Sequence, residues 1–303
     1  MSTKQSMLPL HRLAPLIVRQ NLSRQTLGRT PEPVAETNEA DHVEQYNRVG
    51  ETRLMVSYAV GLELIDRVVG GRRELAYDFA SGPGRFTAML HTHLGFDRVV
   101  GIDLAPNMVQ RATENSTAAG LSDRVVFQRG DITNPDGLPD GSADLCCFAD
   151  AAHHLSDLDA VSTTLCAMER VTRSDGVVVL MDLVRLKTAA ITREYVELVG
   201  SDYIELGLPA FKQDFRDSMY AAWTAQELQQ AVPRSTSKAW FQIVSFAMPC
   251  VQFICGVPVE RRALLGKGAS RISKSSDIAP RHMWNEWQLL RQLLFRSRSR
   301  RIA

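Results

Sequence analysis

The chain has 303 residues, of which 45% are hydrophobic and 23% charged, and its formal net charge at pH 7 is +1. This composition is typical of a globular protein with a sizeable core, and it excludes the whole molecule as an obvious polyanion binder. The five cysteines form neither a C-x-x-C pair nor a zinc-binding spacing, which predicts reduced, buried thiols and no metal site.

Residues 1–40 are predicted to form an N-terminal arm and a linker. The first 31 residues contain five Lys or Arg residues and no acid, a composition that also fits a mitochondrial transit peptide. We favour an arm that packs on the body or on a partner. No apolar run reaches the roughly 18 residues that a bilayer requires, and a cytoplasmic location is therefore expected.

Apolar and helical segments alternate through the middle of the chain. After a predicted helix over 42–69, we predict strands over 75–79, 98–102, 125–128, 144–148, 176–183, 240–247 and 251–256, with helices over 86–93, 108–119 and 158–171. Strands that alternate with helices predict βαβ units and a parallel sheet. Because the apolar runs do not alternate with polar residues, the strands are expected to be covered on both faces.

The predicted domain spans 41–256, with a helical insert over 188–235 that covers the substrate and a basic tail over 257–303. The insert is predicted to contain two helices over 188–220 and one over 225–231. The tail has eleven Lys or Arg against three acids, and one face of a predicted helix carries Trp284, Trp287, Leu290, Leu293 and Leu294. This helix would dock to a partner or an anionic membrane, or pack on the body with a mobile Arg-rich end, which we favour.

The segment Asp78-Phe79-Ala80-Ser81-Gly82-Pro83-Gly84 follows a predicted strand and precedes a helix. Glycines in such a turn let the backbone approach a nucleotide-like ligand closely. Asp103 ends the next strand about 20 residues later, where an acid accepts hydrogen bonds from ribose hydroxyls. Thr87 occupies the third-glycine position of the dinucleotide fingerprint, and the Asp78 carboxylate would repel a pyrophosphate but pair with an ammonium. Both details favour S-adenosylmethionine over NAD.

Four segments in order resemble the class I S-adenosylmethionine-dependent methyltransferases: 78–84, 101–108, 130–132 and 148–155. The chain is similar in particular to the type 11 small-molecule branch, which includes the ubiquinone and menaquinone C-methyltransferases, over residues 46–183. This resemblance implies a Rossmann-like α/β fold with a seven-stranded, mostly parallel sheet and helices on both faces. Ala80 departs from the pattern, since the family usually has a glycine there.

The resemblance also implies a cofactor site at the ends of the first four strands, formed by Asp78, Ala80, Ser81, Gly82, Gly84, Asp103, Leu104, Met108, Asp131, Ile132, Ala149 and Asp150. In it, Asp78 would hold the methionine moiety and Asp103 the ribose. Leu104 and Met108 would flank the adenine, and Asp131 would accept a hydrogen bond from the adenine amino group.

Two histidines follow the fourth predicted strand, at the edge where the acceptor is expected: His153 and His154. Either could be a general base; alternatively, they cap the sheet or bond to the backbone. Four aromatic residues are candidates for the acceptor pocket, although such residues also belong to cores: Tyr46, Tyr203, Tyr220 and Trp223.

The predicted function is methyl transfer to a small, apolar or aromatic metabolite, such as a secondary-metabolite precursor. The alternatives are a non-catalytic cofactor-binding scaffold and a macromolecule methyltransferase that uses the basic tail. Nucleic acid is disfavoured as a partner, because the segment after the fourth strand lacks the Pro-Pro-aromatic and Pro-Cys patterns of DNA methyltransferases. The acceptor atom and the oligomeric state stay open.

Overall fold

The computed structural model describes residues 10–32, 40–48, 52, 54–234, 237–259, 270, 272, 278–279, 281–295 and 299–302. The start of the predicted arm, most of its linker, and much of the basic tail lie outside the described residues. Within the described part of the chain, none of the helices combines the length and the apolar character that crossing a bilayer requires.

The core of the fold is a sheet of eight described strands in the order β3-β2-β1-β4-β5-β7-β6-β8. Their bounds are β1 Leu75–Phe79, β2 Arg98–Asp103, β3 Val125–Arg129, β4 Ala143–Ala149, β5 Thr172–Leu183, β6 Lys238–Val244, β7 Val251–Pro258 and β8 Ser299–Arg301. The first five strands pair in parallel, and β7 is antiparallel to both of its neighbours. The α/β fold and the seven predicted strands are confirmed, whereas β8 was not predicted.

The strand order reverses at β1, which lies between β2 and β4. The chain runs outward from β1 to β3 and then crosses back to β4. Connections on either side of such a reversal leave the sheet on opposite faces, so a crevice opens at the carboxyl ends of β1 and β4. The predicted cofactor residues follow these strands, and the topology therefore brings them together.

The apolar runs bury both faces of the sheet. In β5, Val177, Val179 and Met181 belong to a core cluster that includes residues of α3, α4 and α11, whereas Val178 and Leu180 belong to the cluster under α6 and α10 (helix bounds below). Successive side chains of a strand point to opposite faces, and here both faces need apolar residues. This explains why the strand segments show no polar alternation.

The helices are α1 Leu10–Leu22, α2 Ala40–Asn47, α3 Leu54–Val68, α4 Arg85–Thr92, α5 Pro106–Ala118, α6 Leu158–Val171, α7 Ala189–Val199, α8 Ser201–Glu205, α9 Pro209–Ala221, α10 Ala225–Ala231 and α11 Trp284–Phe295. The single helix predicted over 42–69 is wrong, because α3 has its own start: the Thr52 hydroxyl accepts a hydrogen bond from the Leu54 amide. The region 188–220 contains three helices rather than two, with Gly207 in the left-handed region at φ +72° just before Pro209.

The tail helix and the N-terminal arm both pack against the rest of the domain. Trp287 and Leu294 of α11 are fully buried, and Arg291 binds the buried Glu63 carboxylate of α3 at 2.6 Å. Beyond α11, β8 pairs with β6 and extends the sheet. The favoured interpretation of a packed tail helix agrees with this, but Ser299–Arg301 form a strand rather than a mobile end. Cys166 is exposed, so the expectation of a buried thiol is wrong at that position.

Candidate cofactor and acceptor site

The glycine-rich loop between β1 and α4 turns through left-handed conformations. Ala80, Gly82 and Gly84 have φ values of +55°, +52° and +81°. A Cβ at Gly84 would lie 2.4 Å from Cζ of Phe127 in β3, which no real side chain tolerates. Glycine is therefore required at position 84. At position 80, by contrast, an alanine adopts the left-handed conformation that glycine usually occupies.

Asp103 fastens this loop to the end of β2. One carboxylate oxygen accepts a hydrogen bond from the Gly82 amide at 2.8 Å, and the other accepts one from the Ala105 amide at 2.9 Å. Burial raises the pKa of Asp103, and the two amides act against that rise. Because each carboxylate oxygen has a second acceptor position, Asp103 can also accept bonds from the ribose hydroxyls, as the resemblance implies.

Asp78 lies beneath the loop and is only 2% exposed. Its carboxylate accepts a hydrogen bond from the Thr87 hydroxyl at 2.6 Å, and the Cys147 thiol lies 3.4 Å away. Burial raises the pKa of Asp78 to about 7. Thr87, which occupies the third-glycine position of the dinucleotide fingerprint, is thus the hydrogen-bond donor that orients this carboxylate.

Four buried polar atoms without partners among the described residues lie at the carboxyl ends of β1, β4 and β5. They are the Ser81 hydroxyl, both carboxylate oxygens of Asp150 and one oxygen of Asp182. Asp150 also has φ +50°, a strained conformation for a residue with a side chain. Since buried polar groups are nearly always hydrogen-bonded, these atoms mark the place where a polar ligand fits, and the site suits a nucleoside cofactor with a charged amino-acid group.

Residues 77–180 match the family model described as a methyltransferase domain. The chain carries a methyltransferase domain. Within these residues, the resemblance of the four segments to the class I S-adenosylmethionine-dependent methyltransferases is confirmed, and the type 11 branch fits.

Similarity to individual proteins is more distant. The ribosomal protein L11 methyltransferase of Alteromonas mediterranea is 27% identical over 144 residues, which are 48% of this chain and 43% of that protein, so less than half of that relative is covered. A protein assigned as an S-adenosyl-l-methionine-dependent methyltransferase (mmp1179) from Methanococcus maripaludis superposes with a TM-score of 0.55 at 18% identity, over 76% of this chain and 97% of that chain. The plantazolicin methyltransferase BpumL, solved in complex with SAH, superposes with a TM-score of 0.52 at 12% identity, over 82% of this chain and 98% of that chain.

Just after the end of β2, Leu104 is 63% exposed and presents an apolar surface next to Asp103. Met108 is instead buried in α5. Asp131 is exposed, and one of its oxygens accepts bonds from the Thr133 amide and hydroxyl, so it also shapes its own turn. The roles implied for these residues and for Ile132, which packs partly against the core, stay predictions.

The two histidines face the arm. His153 is buried, and its Nδ1 lies 2.6 Å from a carboxylate oxygen of Asp182. His154 is half exposed and is hydrogen-bonded through Nδ1 to Glu32, which comes from the arm. Neither imidazole lines the cavity described next. An acceptor bound in that cavity would therefore contact neither His153 nor His154.

A cavity of about 490 Å³ with almost entirely apolar walls lies next to this edge of the sheet. Its walls come from α1, α3, α7, α11 and the 246–250 loop, and the few polar side chains among them include Ser57 and Asp150. The arm and the tail helix thus help to form this chamber, which the sequence did not reveal. Asp150 joins this chamber to the carboxyl end of β4.

Only one of the four predicted aromatic residues lines the cavity. Tyr203 does so, with its ring 4.9 Å from that of Phe211. Tyr46 packs edge-on against the same Phe211 ring at 5.3 Å, outside the cavity wall. Sequence reasoning missed Tyr195, which lines the cavity from α7.

The remaining two aromatic candidates contact the arm. The Trp223 indole donates a hydrogen bond to the Ala152 carbonyl at 2.9 Å and is covered by the Arg29 guanidinium. The backbone carbonyl of Tyr220 accepts a bond from Thr30. A contact of Trp223 or Tyr220 with an acceptor in this cavity is therefore not supported, because neither lines it.

Gly84→Ala is expected to abolish cofactor binding by displacing the loop from Phe127. Gly120→Ala is the matched control, because Gly120 has φ +70° but a Cβ added there would have no neighbouring atom within 4 Å. Both variants carry the left-handed backbone cost of about 1–2 kcal/mol, but only Gly84→Ala adds a clash. Calorimetric titration with S-adenosylhomocysteine checks this; equal affinities of the two variants would contradict it.

Cofactor affinity is expected to rise with pH up to about 7, the pKa of Asp78, and then level off. Below that pH the carboxyl must lose its proton before it can pair with the ligand ammonium. The dissociation constant therefore rises roughly tenfold for each pH unit below the pKa. Thr87→Val removes a hydrogen bond that lowers this pKa, so it should move the midpoint to higher pH. Asp78→Asn should flatten the profile and Asp150→Asn should not; a slope that persists in Asp78→Asn rules Asp78 out.

Proposed function

We propose that this protein transfers the methyl group of S-adenosylmethionine to a small apolar molecule bound in the 490 Å³ cavity. The observation that carries the proposal is the position of Asp150, which lines the apolar cavity and directly follows β4, the strand next to the one that leads into the glycine-rich loop. A volume of this size suits a small molecule, since ligand pockets typically measure about 300–1,000 Å³. The curated relative named for ribosomal protein L11 gives no support for a protein acceptor, since the alignment covers only 43% of it.

When bound, the cofactor supplies an electrophilic methyl group on a sulfonium. Methyl transfer gains mainly from alignment of the two reactants, and the walls of the cavity can provide it. Because these walls are apolar, they also keep water from the reacting atoms. The acceptor expected from such walls is a ring or chain with one protic group.

Asp150 is our candidate for the group that takes the proton of that acceptor. Both of its oxygens lack partners among the described residues, so they are available to a hydroxyl or an amine. Burial, and then the nearby Asp182, raise the pKa of Asp150 to about 7. A carboxylate with a pKa near the working pH suits general base catalysis. This role replaces the one predicted for His153 and His154, which do not line the cavity.

Labelled methyl transfer to a panel of apolar alcohols, phenols and amines tests the proposal. Asp150→Asn should lower kcat about 10²–10⁴-fold, as loss of a general base does, while affinity for S-adenosylhomocysteine stays within a few-fold. Ala14→Trp should obstruct the cavity from α1 and raise KM for the acceptor. Arg12→Trp, on an exposed position of the same helix that does not line the cavity, is the control and should leave KM unchanged.

Two results would overturn the proposal. Turnover on proteins or nucleic acids alone, with Ala14→Trp indistinguishable from Arg12→Trp, would show that the acceptor does not enter the cavity. Full activity of Asp150→Asn at every pH would show that Asp150 takes no proton from it.

A further inference from the structure

A second constellation of polar side chains joins the arm to the sheet. Glu32 follows α1 in the arm, and His153 and His154 form part of a short 3₁₀ turn, Ala152–His154, after β4. One potential ligand atom from each side chain lies within 4.8 Å of the others. The group unites residues that are far apart in the sequence, so no local spacing could reveal it, and the sequence expectation of no metal site did not include it.

The His153 ring is fixed in the orientation that a metal ligand requires. Its Nδ1 is bonded to the fully buried Asp182 carboxylate at 2.6 Å, and its Nε2 is turned toward Glu32, 3.9 Å from the nearer oxygen. Histidines that bind metals nearly always use the second ring nitrogen to contact a carboxylate, a carbonyl or a water, and this contact sets the tautomer and the ring plane. Asp182 is such a supporting carboxylate.

Glu32 is held from the other side. The Ser218 hydroxyl donates a hydrogen bond to one carboxylate oxygen at 2.6 Å, and the other oxygen meets Nδ1 of His154. The two imidazole rings lie 4.3 Å apart, centroid to centroid. Glu32 is mostly buried while His154 is half exposed, so three potential ligands surround a point that solvent can still reach.

We propose that Glu32, His153 and His154 bind a divalent transition-metal ion of the zinc class. Two imidazole nitrogens and one carboxylate are a typical ligand set for zinc, which keeps its fourth position for water when three protein ligands are present. Calcium and magnesium prefer oxygen ligands and are disfavoured here. The ion displaces the proton that otherwise joins His154 to Glu32, while His153 keeps its Nδ1 proton on Asp182 and offers Nε2 to the ion.

The bound ion fastens the arm to the carboxyl end of β4. Arg29, which shortly precedes Glu32 in the arm, already donates hydrogen bonds to the His153 and Leu155 carbonyls at 3.0 and 2.6 Å. The same arm supplies α1, a wall of the apolar cavity. Metal binding therefore stabilises the position of the arm in which α1 forms that wall, without contributing a group to the reaction.

The test uses the full chain, stripped with a chelator and titrated with zinc chloride alone. We expect one zinc per chain with a dissociation constant in the micromolar range or tighter, and a rise in the melting temperature. Glu32→Gln and His154→Ala should each weaken binding at least tenfold. His11→Ala, an exposed histidine of the same arm, and Cys166→Ser, which removes the exposed thiol, should leave it unchanged.

Cobalt substitution of the unmodified protein keeps the test decisive if a ligand variant fails to fold. The site predicts visible bands of a four- or five-coordinate cobalt ion, without the near-ultraviolet thiolate band of a cysteine ligand. Absence of binding at 100 µM zinc, or binding that survives both ligand variants, would overturn the proposal and leave these residues as an ion-paired clasp.

Discussion

The active edge of this domain depends on the close contact between the glycine-rich loop and β2. The Gly82 amide bonds to the Asp103 carboxylate, and the lack of a side chain at Gly84 and Gly101 admits the Phe127 ring, which a Cβ at either position would meet within 2.5 Å. Together these contacts place the loop over the ends of β1 and β2. The backbone is thereby preorganised for a ligand, so that the fold rather than the ligand bears the cost of ordering.

Buried carboxylates surround the position that this contact creates. Asp78, Asp150 and Asp182 lie in or at the end of three neighbouring strands, and burial raises the pKa of the first two to about 7. Unpaired buried carboxylates oppose folding, and Asp150 adds a strained backbone. Such costs concentrate where a protein binds or converts a ligand. The protic group that we expect on the acceptor would donate a hydrogen bond to the unpaired carboxylate of Asp150.

The sheet and the cofactor loop could be predicted from the sequence because both are local. Each strand is a continuous apolar run, and the glycines and Asp103 keep a spacing set by one βαβ unit. The cavity could not be predicted, since its walls come from α1 and α11, which are far apart in the chain. The same applies to Glu32, which meets His153 and His154 only through the path of the arm. The helical spacing of apolar residues over 42–69 also did not predict the break near Thr52, whose hydroxyl accepts a hydrogen bond from the first residue of α3.

The crystal structure of the complex with S-adenosylhomocysteine tests the account most directly. It predicts that the ribose hydroxyls bind Asp103, that the adenine lies against Leu104, and that the thioether sulfur faces Asp150 and the apolar cavity. A ligand whose sulfur is separated from the cavity by protein, or one bound away from the glycine-rich loop, would contradict the account.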